Sequence, residues 1–203
     1  MKDWNKMLIG DNNGISLYWD VNAYPILFLS GPTGSGKTMV TFNIISQCIN
    51  DYDIHCVDTL HVEWWRNNHI NITTYTDMKQ VSQCFDTLLS TDFKKPQLVI
   101  IENIYEIISK YNNSFDEVVP KLLKLLDKQN IYFCFICQKY DDDEITNIIK
   151  LKKVLYLDMC VSAWNDKKLP VGNGYLSFGD TQPCTIKTTK INLKEVEKTL
   201  GMN

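Results

Sequence analysis

The chain reads as an α/β fold, a mostly parallel sheet flanked by helices. Three observations predict it. A phosphate-loop signature, Gly31-Pro32-Thr33-Gly34-Ser35-Gly36-Lys37-Thr38, lies between an apolar run of strand length and a helical pattern. Strand-like and helix-like segments alternate along the rest of the chain. The 203 residues hold no repeat, low-complexity tract or Pro/Gly-rich linker. That length suits one domain with a substantial core, expected to span residues 1–203.

Taken in order, Gly14–Trp19 reads as an edge strand. Ile26–Ser30 is the first core strand, because Ile26-Leu27-Phe28-Leu29 is an apolar run of buried-strand length. Lys37–Cys48 is a helix with Val40, Ile44, Ile45 and Cys48 on one face. Ile54–Val57 is a short strand ending at Asp58. Asp77–Leu89 is helical, with Asp77 as a cap near its start. Leu98–Glu102 is the next core strand. Phe115–Gln129 is an amphipathic helix, and Pro120 marks its first turn. Tyr132–Cys137 and Val154–Val161 are strands, separated by a short helix at Ile145–Lys150. Gly174–Phe178 and Cys184–Thr188 are short strands around a turn at Gly179-Asp180, and Leu193–Leu200 is a closing helix.

The loop residues fit phosphate chemistry. Glycines let the backbone turn tightly and bring N–H groups close to phosphate oxygens. Lys37 is placed to reach the β- and γ-phosphates, and Thr38 to offer its hydroxyl to Mg2+. The helix beginning near Gly36 adds its positive end. Such a site also needs a carboxylate at the end of a neighbouring apolar strand to hold Mg2+. Leu98-Val99-Ile100-Ile101-Glu102 supplies one, with Glu where Asp is usual. The following residue is Asn103, where many hydrolysing relatives carry the acid that orients the attacking water. An amide can hold a water but cannot take its proton. Glu106 is the nearest other acid in the sequence.

Composition narrows the field. The formal net charge of −3 argues against a broadly basic, nucleic-acid-coating surface. No run of 18 apolar residues exists, and Met1–Gly14 lacks a signal peptide's apolar stretch, so a cytoplasmic location is expected. Seven scattered cysteines suit a reducing compartment. Cys134 and Cys137 form a C-x-x-C inside a strand, where positions three apart face opposite ways, so both are expected in the core. His55, His61 and His69 lack ligand spacing and read as surface or packing residues. Twenty of the 21 basic residues are lysine, and Arg66 is the single arginine. A small-molecule kinase, which clamps its phosphoryl group with arginines, is therefore disfavoured.

With these pieces placed, the chain resembles the FtsK/SpoIIIE branch of the FtsK–HerA P-loop ATPases over roughly residues 8 to 191. Leu8-Ile9-Gly10 and Tyr18-Trp19-Asp20 are similar to that family's lead-in. Pro25 to Thr38 is similar throughout. Val57-Asp58 with Val62-Glu63 resembles its next strand and acidic follow-on. Gln138 stands where members carry a glutamine that senses the γ-phosphate, and Gly174–Asp180 looks like a closing strand.

The resemblance implies a RecA-like fold, ATP and Mg2+ as cofactors, and catalytic roles for Lys37, Glu102, Gln138 and Asn103. It implies a homo-oligomer, usually a hexameric ring, acting on double-stranded DNA as a translocase or DNA-transfer motor. A chain carrying only this core fits a phage, plasmid or integrative element, with a phage, plasmid or membrane protein as partner. The alternatives are a viral genome-packaging ATPase and a slow or non-hydrolysing ATP-dependent DNA-binding switch. Asn103 and the lack of an arginine in Val161–Lys168 favour the switch. Lys139, Lys150, Lys152 and Lys153 are candidate phosphate-backbone contacts, interrupted by Asp141–Glu144. Lys121, Lys124 and Lys128 recur every three or four residues, the wet face of an amphipathic helix. Trp64, Trp65 and Tyr75 read as packing residues that could also stack on bases.

Overall fold

Ile26-Leu27-Phe28-Leu29 has no polar side chain to offer water, and the chain buries all four. A computed structural model describes residues 4–59, 71–105, 118–138, 153–160, 168–178 and 182–189, with positions 194 and 198. The strands are β1 (Lys6–Asn12), β2 (Ile15–Asp20), β3 (Ile26–Ser30), β4 (Asp53–Val57), β5 (Ile72–Tyr75), β6 (Gln97–Glu102), β7 (Ile131–Cys137), β8 (Val154–Met159), β9 (Asn173–Phe178) and β10 (Cys184–Thr188). The helices are α1 (Lys37–Cys48), α2 (Met78–Ser90) and α3 (Val118–Leu125).

All ten strands form one sheet in the order β2-β1-β10-β9-β8-β3-β7-β6-β4-β5. From β8 to β5 the pairings are parallel. From β8 through β9, β10 and β1 to β2 they are antiparallel. The expected fold class holds: a RecA-like, mostly parallel sheet with flanking helices and antiparallel strands from the C-terminal part. Strand β2 lies at an edge, as its mixed pattern predicts. Two strands, β1 and β5, were not expected.

Alternation along the central strands divides the core. Leu27, Leu29, Cys56 and Ile100 pack with Val40 and Ile44 of α1 on one face. Phe28, Val57, Val99 and Ile101 pack with Phe85 of α2 and Leu122 of α3 on the other. Cys134 and Cys137 fall in different clusters, both buried and free, so the core reading of the C-x-x-C holds.

Helix α1 is also tied to the antiparallel half. The β1–β2 ladder shifts register between Leu8 and Gly10. At that bulge Leu8 N–H donates to Gln47 Oε1 at 2.8 Å, and Asn43 and Gln47 amides donate to Leu8 O at 2.7 and 2.9 Å. A side chain at Gly10 would meet Lys187 O at 2.4 Å, so the Leu8-Ile9-Gly10 sequence fits a bulge closely packed on β10.

Two of the three lysines on the α3 side are not merely solvated. Lys121 Nζ donates to Ser82 Oγ and Asp86 Oδ2, at 2.9 and 2.8 Å. Lys128 Nζ donates to the carbonyls of Leu88, Leu89 and Thr91, closing the end of α2. Both join helices. The helix expected at Ile145–Lys150, the turn at Gly179-Asp180 and most of Leu193–Leu200 lie outside the described residues. So do Lys139, Lys150, Lys152, Arg66, Trp64, Trp65, His61, His69, Glu106 and residues 161–167.

At the start of α2, Asp77 is extended and its carboxylate accepts from Gln80 N–H at 2.9 Å. Asp77→Ala removes that cap and is expected to lower stability by about 1 kcal/mol, read from the urea unfolding midpoint. An unchanged midpoint would show that the cap contributes nothing here.

Candidate nucleotide-binding site

The site is built where the parallel strands end. Strand β3 stops at Ser30, and α1 begins at Lys37. Between them, Gly31, Gly34 and Gly36 have φ of 142°, 79° and 106°, values that side chains strain against. Gly31 is also pressed on β8: a Cβ there would lie 2.5 Å from Met159 O. Gly36 is the N-cap of α1 and supplies no side-chain cap, and the first turn carries no acid. The helix end therefore keeps its positive partial charge for an outside anion.

The loop is held from below. Ser30 Oγ donates to the buried carboxylate of Asp158 on β8. Ser35 O accepts from Gly172 N–H at 3.2 Å and from Cys160 Sγ at 3.4 Å. Gly172 O in turn accepts from Thr188 N–H and Oγ1, both at 2.8 Å. None of these supports was read from the sequence. Their partners lie more than a hundred residues from the loop, where no local pattern records them.

Lys37 Nζ donates to Gly31 O at 2.6 Å and Pro32 O at 3.0 Å, which curls the side chain back over the loop. Burial pulls its pKa down, and the nearby charge of Glu102 opposes that pull. Glu102 ends β6 with its carboxyl on the α1 face, following Leu98 and Ile100. Burial pushes its pKa up to about 7, with Lys37 opposing and Asp58 adding to the rise. Lys37 and Glu102, 65 positions apart in the sequence, are thus brought into electrostatic contact.

Asn103 follows Glu102 with φ of 53°. Gln138 follows β7 directly and is exposed. By alternation it continues the α1-facing series of Cys134 and Ile136. Thr38 is exposed in the first turn of α1. The expected site residues therefore share the carboxyl edge of adjacent strands.

The arrangement fits a nucleotide and its metal. Ser35 Oγ is buried with no hydrogen-bond partner, an orphan polar atom inside the phosphate loop. Thr38 and Glu102 are an oxygen donor set of the kind Mg2+ takes. No group of three His, Cys, Asp or Glu suited to a metal occurs among the described residues, so the metal would need oxygens from the nucleotide and water. A separate cavity of about 340 Å³, lined by His55, Tyr75, Cys84 and Leu88, opens on the α2 side. His55 stacks on Tyr75 and bonds to Gln97 at 2.9 Å, which makes it a packing residue.

A phosphate loop ahead of an uncapped helix, on a parallel sheet ordered β8-β3-β7-β6-β4-β5, defines a P-loop NTPase. The family model for AAA, the ATPase family associated with various cellular activities, matches residues 27–156, more than half of the chain. The chain belongs to that family. A comparison with curated proteins gives no match.

Several solved structures share the fold. The pCW3 conjugation coupling protein TcpA, a monomer form with ATPgS, superposes with a TM-score of 0.77 at 15% identity, over 100% of this chain and 71% of that one. The cytoplasmic domain of the Thermomonospora curvata type VII secretion ATPase EccC gives 0.72 at 15% identity, over 94% of this chain. This chain spans only 27% of that structure's length. The genome packaging NTPase B204 from Sulfolobus turreted icosahedral virus 2, in complex with AMPPCP, gives 0.60 at 13% identity, over 82% of this chain and 98% of that one. At these identities the likeness is one of fold. No helix among the described residues is long and apolar enough to cross a membrane.

The raised pKa of Glu102 gives a test of its burial. A carboxyl whose folded pKa is raised binds its proton more tightly in the folded chain. Stability is then full below the unfolded value of 4.5 and falls as pH rises through about 7. Glu102→Gln removes this slope. Between about pH 5 and about pH 8 the variant should gain on the wild type, with a ceiling on the order of 3 kcal/mol. Urea unfolding at the two pH values reads it, and parallel curves for both proteins would refute the burial.

Proposed function

We propose that the chain is an ATP-hydrolysing DNA-transfer motor of the FtsK–HerA type, one ATPase domain over residues 1–203 that acts as a homo-oligomer on double-stranded DNA. The observation that carries the nucleotide half is a glycine-built phosphate loop, with Lys37 curled back over it, ahead of an uncapped helix end. The DNA half is supported by the sequence resemblance and by a fold shared with a conjugation coupling protein.

In this reading residues 31–38 hold the phosphates through backbone N–H groups, with Lys37 on the β- and γ-phosphates. Thr38 and Glu102 are the residues that would hold Mg2+. Mg2+ supplies charge neutralisation across the phosphate oxygens. Gln138, exposed at the end of β7, reads the γ-phosphate by hydrogen bonds. Asn103 holds a water through its amide. Lys37 would exchange the Gly31 and Pro32 carbonyls for phosphate oxygens, a charge-assisted gain that also relieves its desolvation.

A second reading, a viral genome-packaging ATPase, is favoured by one observation. The packaging NTPase B204 is matched over 98% of its own length, so a core of this size is a whole chain there. Both readings share the ATP chemistry and differ in the partner that feeds the DNA.

The test is steady-state phosphate release with and without duplex DNA, beside Lys37→Ala. Duplex DNA is expected to raise the wild-type rate several-fold, and Lys37→Ala to abolish turnover in both conditions. ATP binding with a rate indifferent to DNA would sink the motor reading and leave a nucleotide switch.

A further inference from the structure

We propose that Asp58 is a catalytic residue of this site, the carboxylate that holds the attacking water and takes its proton. The assignment rests on the ATP-hydrolysis reading above and not on DNA.

Two carboxylate duties exist in a hydrolysing P-loop site. One group faces the metal, and one faces the attacking water. Asn103 cannot perform the second, because an amide accepts no proton in this range. Its backbone explains the residue: φ of 53° is left-handed, where Asn is favoured and Glu is not. The second acid must come from another strand end.

Among the described residues at the carboxyl edge of the parallel strands, the acids are Asp58, Asp77, Glu102 and Asp158, and Asp77 is taken up as the cap of α2. Asp158 alternates away from the α1 face, because Leu157 and Met159 point there, and its carboxylate accepts from Ser30. Asp58 continues the series Ile54 and Cys56, which packs with α1. It therefore shares the face of Lys37 and Glu102.

Register places it beside Glu102. Strands β4 and β6 are parallel neighbours with Val57 opposite Ile101, so Asp58 stands opposite Glu102 at roughly the 4.8 Å strand spacing. Its backbone is fixed, since Asp58 N–H donates to Tyr75 O at 2.9 Å. Its side chain is buried, with the residue only 2% exposed. The next residue, Thr59, buries its Oγ1 without a hydrogen-bond partner among the described residues.

The step balances with these groups. The water oxygen forms a bond to the γ-phosphorus. The bond from that phosphorus to the β,γ-bridging oxygen breaks, and its electron pair stays on ADP. The proton of the water passes to the Asp58 carboxylate and returns to solvent as phosphate leaves.

The experiment compares wild type, Asp58→Asn, Asp58→Glu and Glu102→Gln without DNA. The readouts are affinity for a fluorescent ATP analogue, the Mg2+ concentration for half-maximal binding, thermal unfolding, and kcat. Asp58→Asn should keep analogue and Mg2+ binding within about threefold and lose about 10²–10⁴ in kcat. Glu102→Gln should instead raise the Mg2+ requirement. Asp58→Glu keeps an acid and should recover at least about tenfold of the kcat lost in Asp58→Asn. Wild-type kcat in Asp58→Asn overturns the assignment. So does a Mg2+ requirement that shifts as in Glu102→Gln, or an equal loss of binding and kcat in both Asp58 variants. A wild type that binds the analogue but releases no phosphate overturns it as well. The expected kcat losses here, with no stimulation by duplex DNA in the phosphate-release test above, would count against the DNA reading alone.

Discussion

The bond from Ser30 to Asp158 is the constraint on which the site depends. It joins the last residue of β3 to its register partner on β8, at the point where the chain leaves the sheet for the phosphate loop. The next residues extend the contact: Gly31 rests against Met159 O, and Cys160 reaches Ser35 O. Three consecutive residues of β8 and its exit thus fix both ends of the loop. A loop that must present N–H groups to an anion cannot also satisfy itself, so its rigidity has to come from neighbours. That explains why Cys160 takes a left-handed φ of 65°. The turn brings its thiol back to the loop instead of continuing the strand.

The same clasp links the two halves of the sheet. Strand β8 is parallel to β3 and antiparallel to β9. Gly172, just before β9, donates to Ser35 O, and Thr188 at the end of β10 holds Gly172. A chain of hydrogen bonds therefore runs from β10 through β9 to the phosphate loop. The antiparallel strands are part of the loop's foundation, which gives a physical reason for their position beside β8.

Legibility followed the range of the forces involved. Ile26–Ser30 and Lys37–Cys48 coincide with β3 and α1, because an apolar run and a phosphate-loop glycine are local signals. Strands β1 and β5 escaped for opposite reasons. Strand β1 carries a bulge that breaks its alternation at Leu8–Gly10. Strand β5 is the short sequence Ile-Thr-Thr-Tyr at a sheet edge, with no fully buried residue. Val154–Val161 proved shorter because the left-handed turn at Cys160 ends β8 at Met159. Lys121 and Lys128 showed helical spacing, yet nothing in spacing tells a solvated lysine from one that crosses to the next helix. The phosphate loop and Glu102 were legible because they sit at ends of apolar strands. Asp158, Cys160 and Gly172 were not, since their value lies only in tertiary contact.

Electrostatics set the remaining limit on the site. Lys37 is held by two carbonyls and faces a carboxyl whose own burial drives it toward neutrality. Neither charge is comfortable in the chain alone: burial pulls the pKa of each toward the neutral form, and each opposes the other's shift. A bound polyanion would supply the negative charge that Lys37 lacks. The site is thus arranged so that its stability and its ligand are linked. Asn103 fits the same logic. A third acid on that turn would add like charge beside Glu102 and strain at φ of 53° together. An uncharged residue that tolerates the left-handed turn avoids both costs.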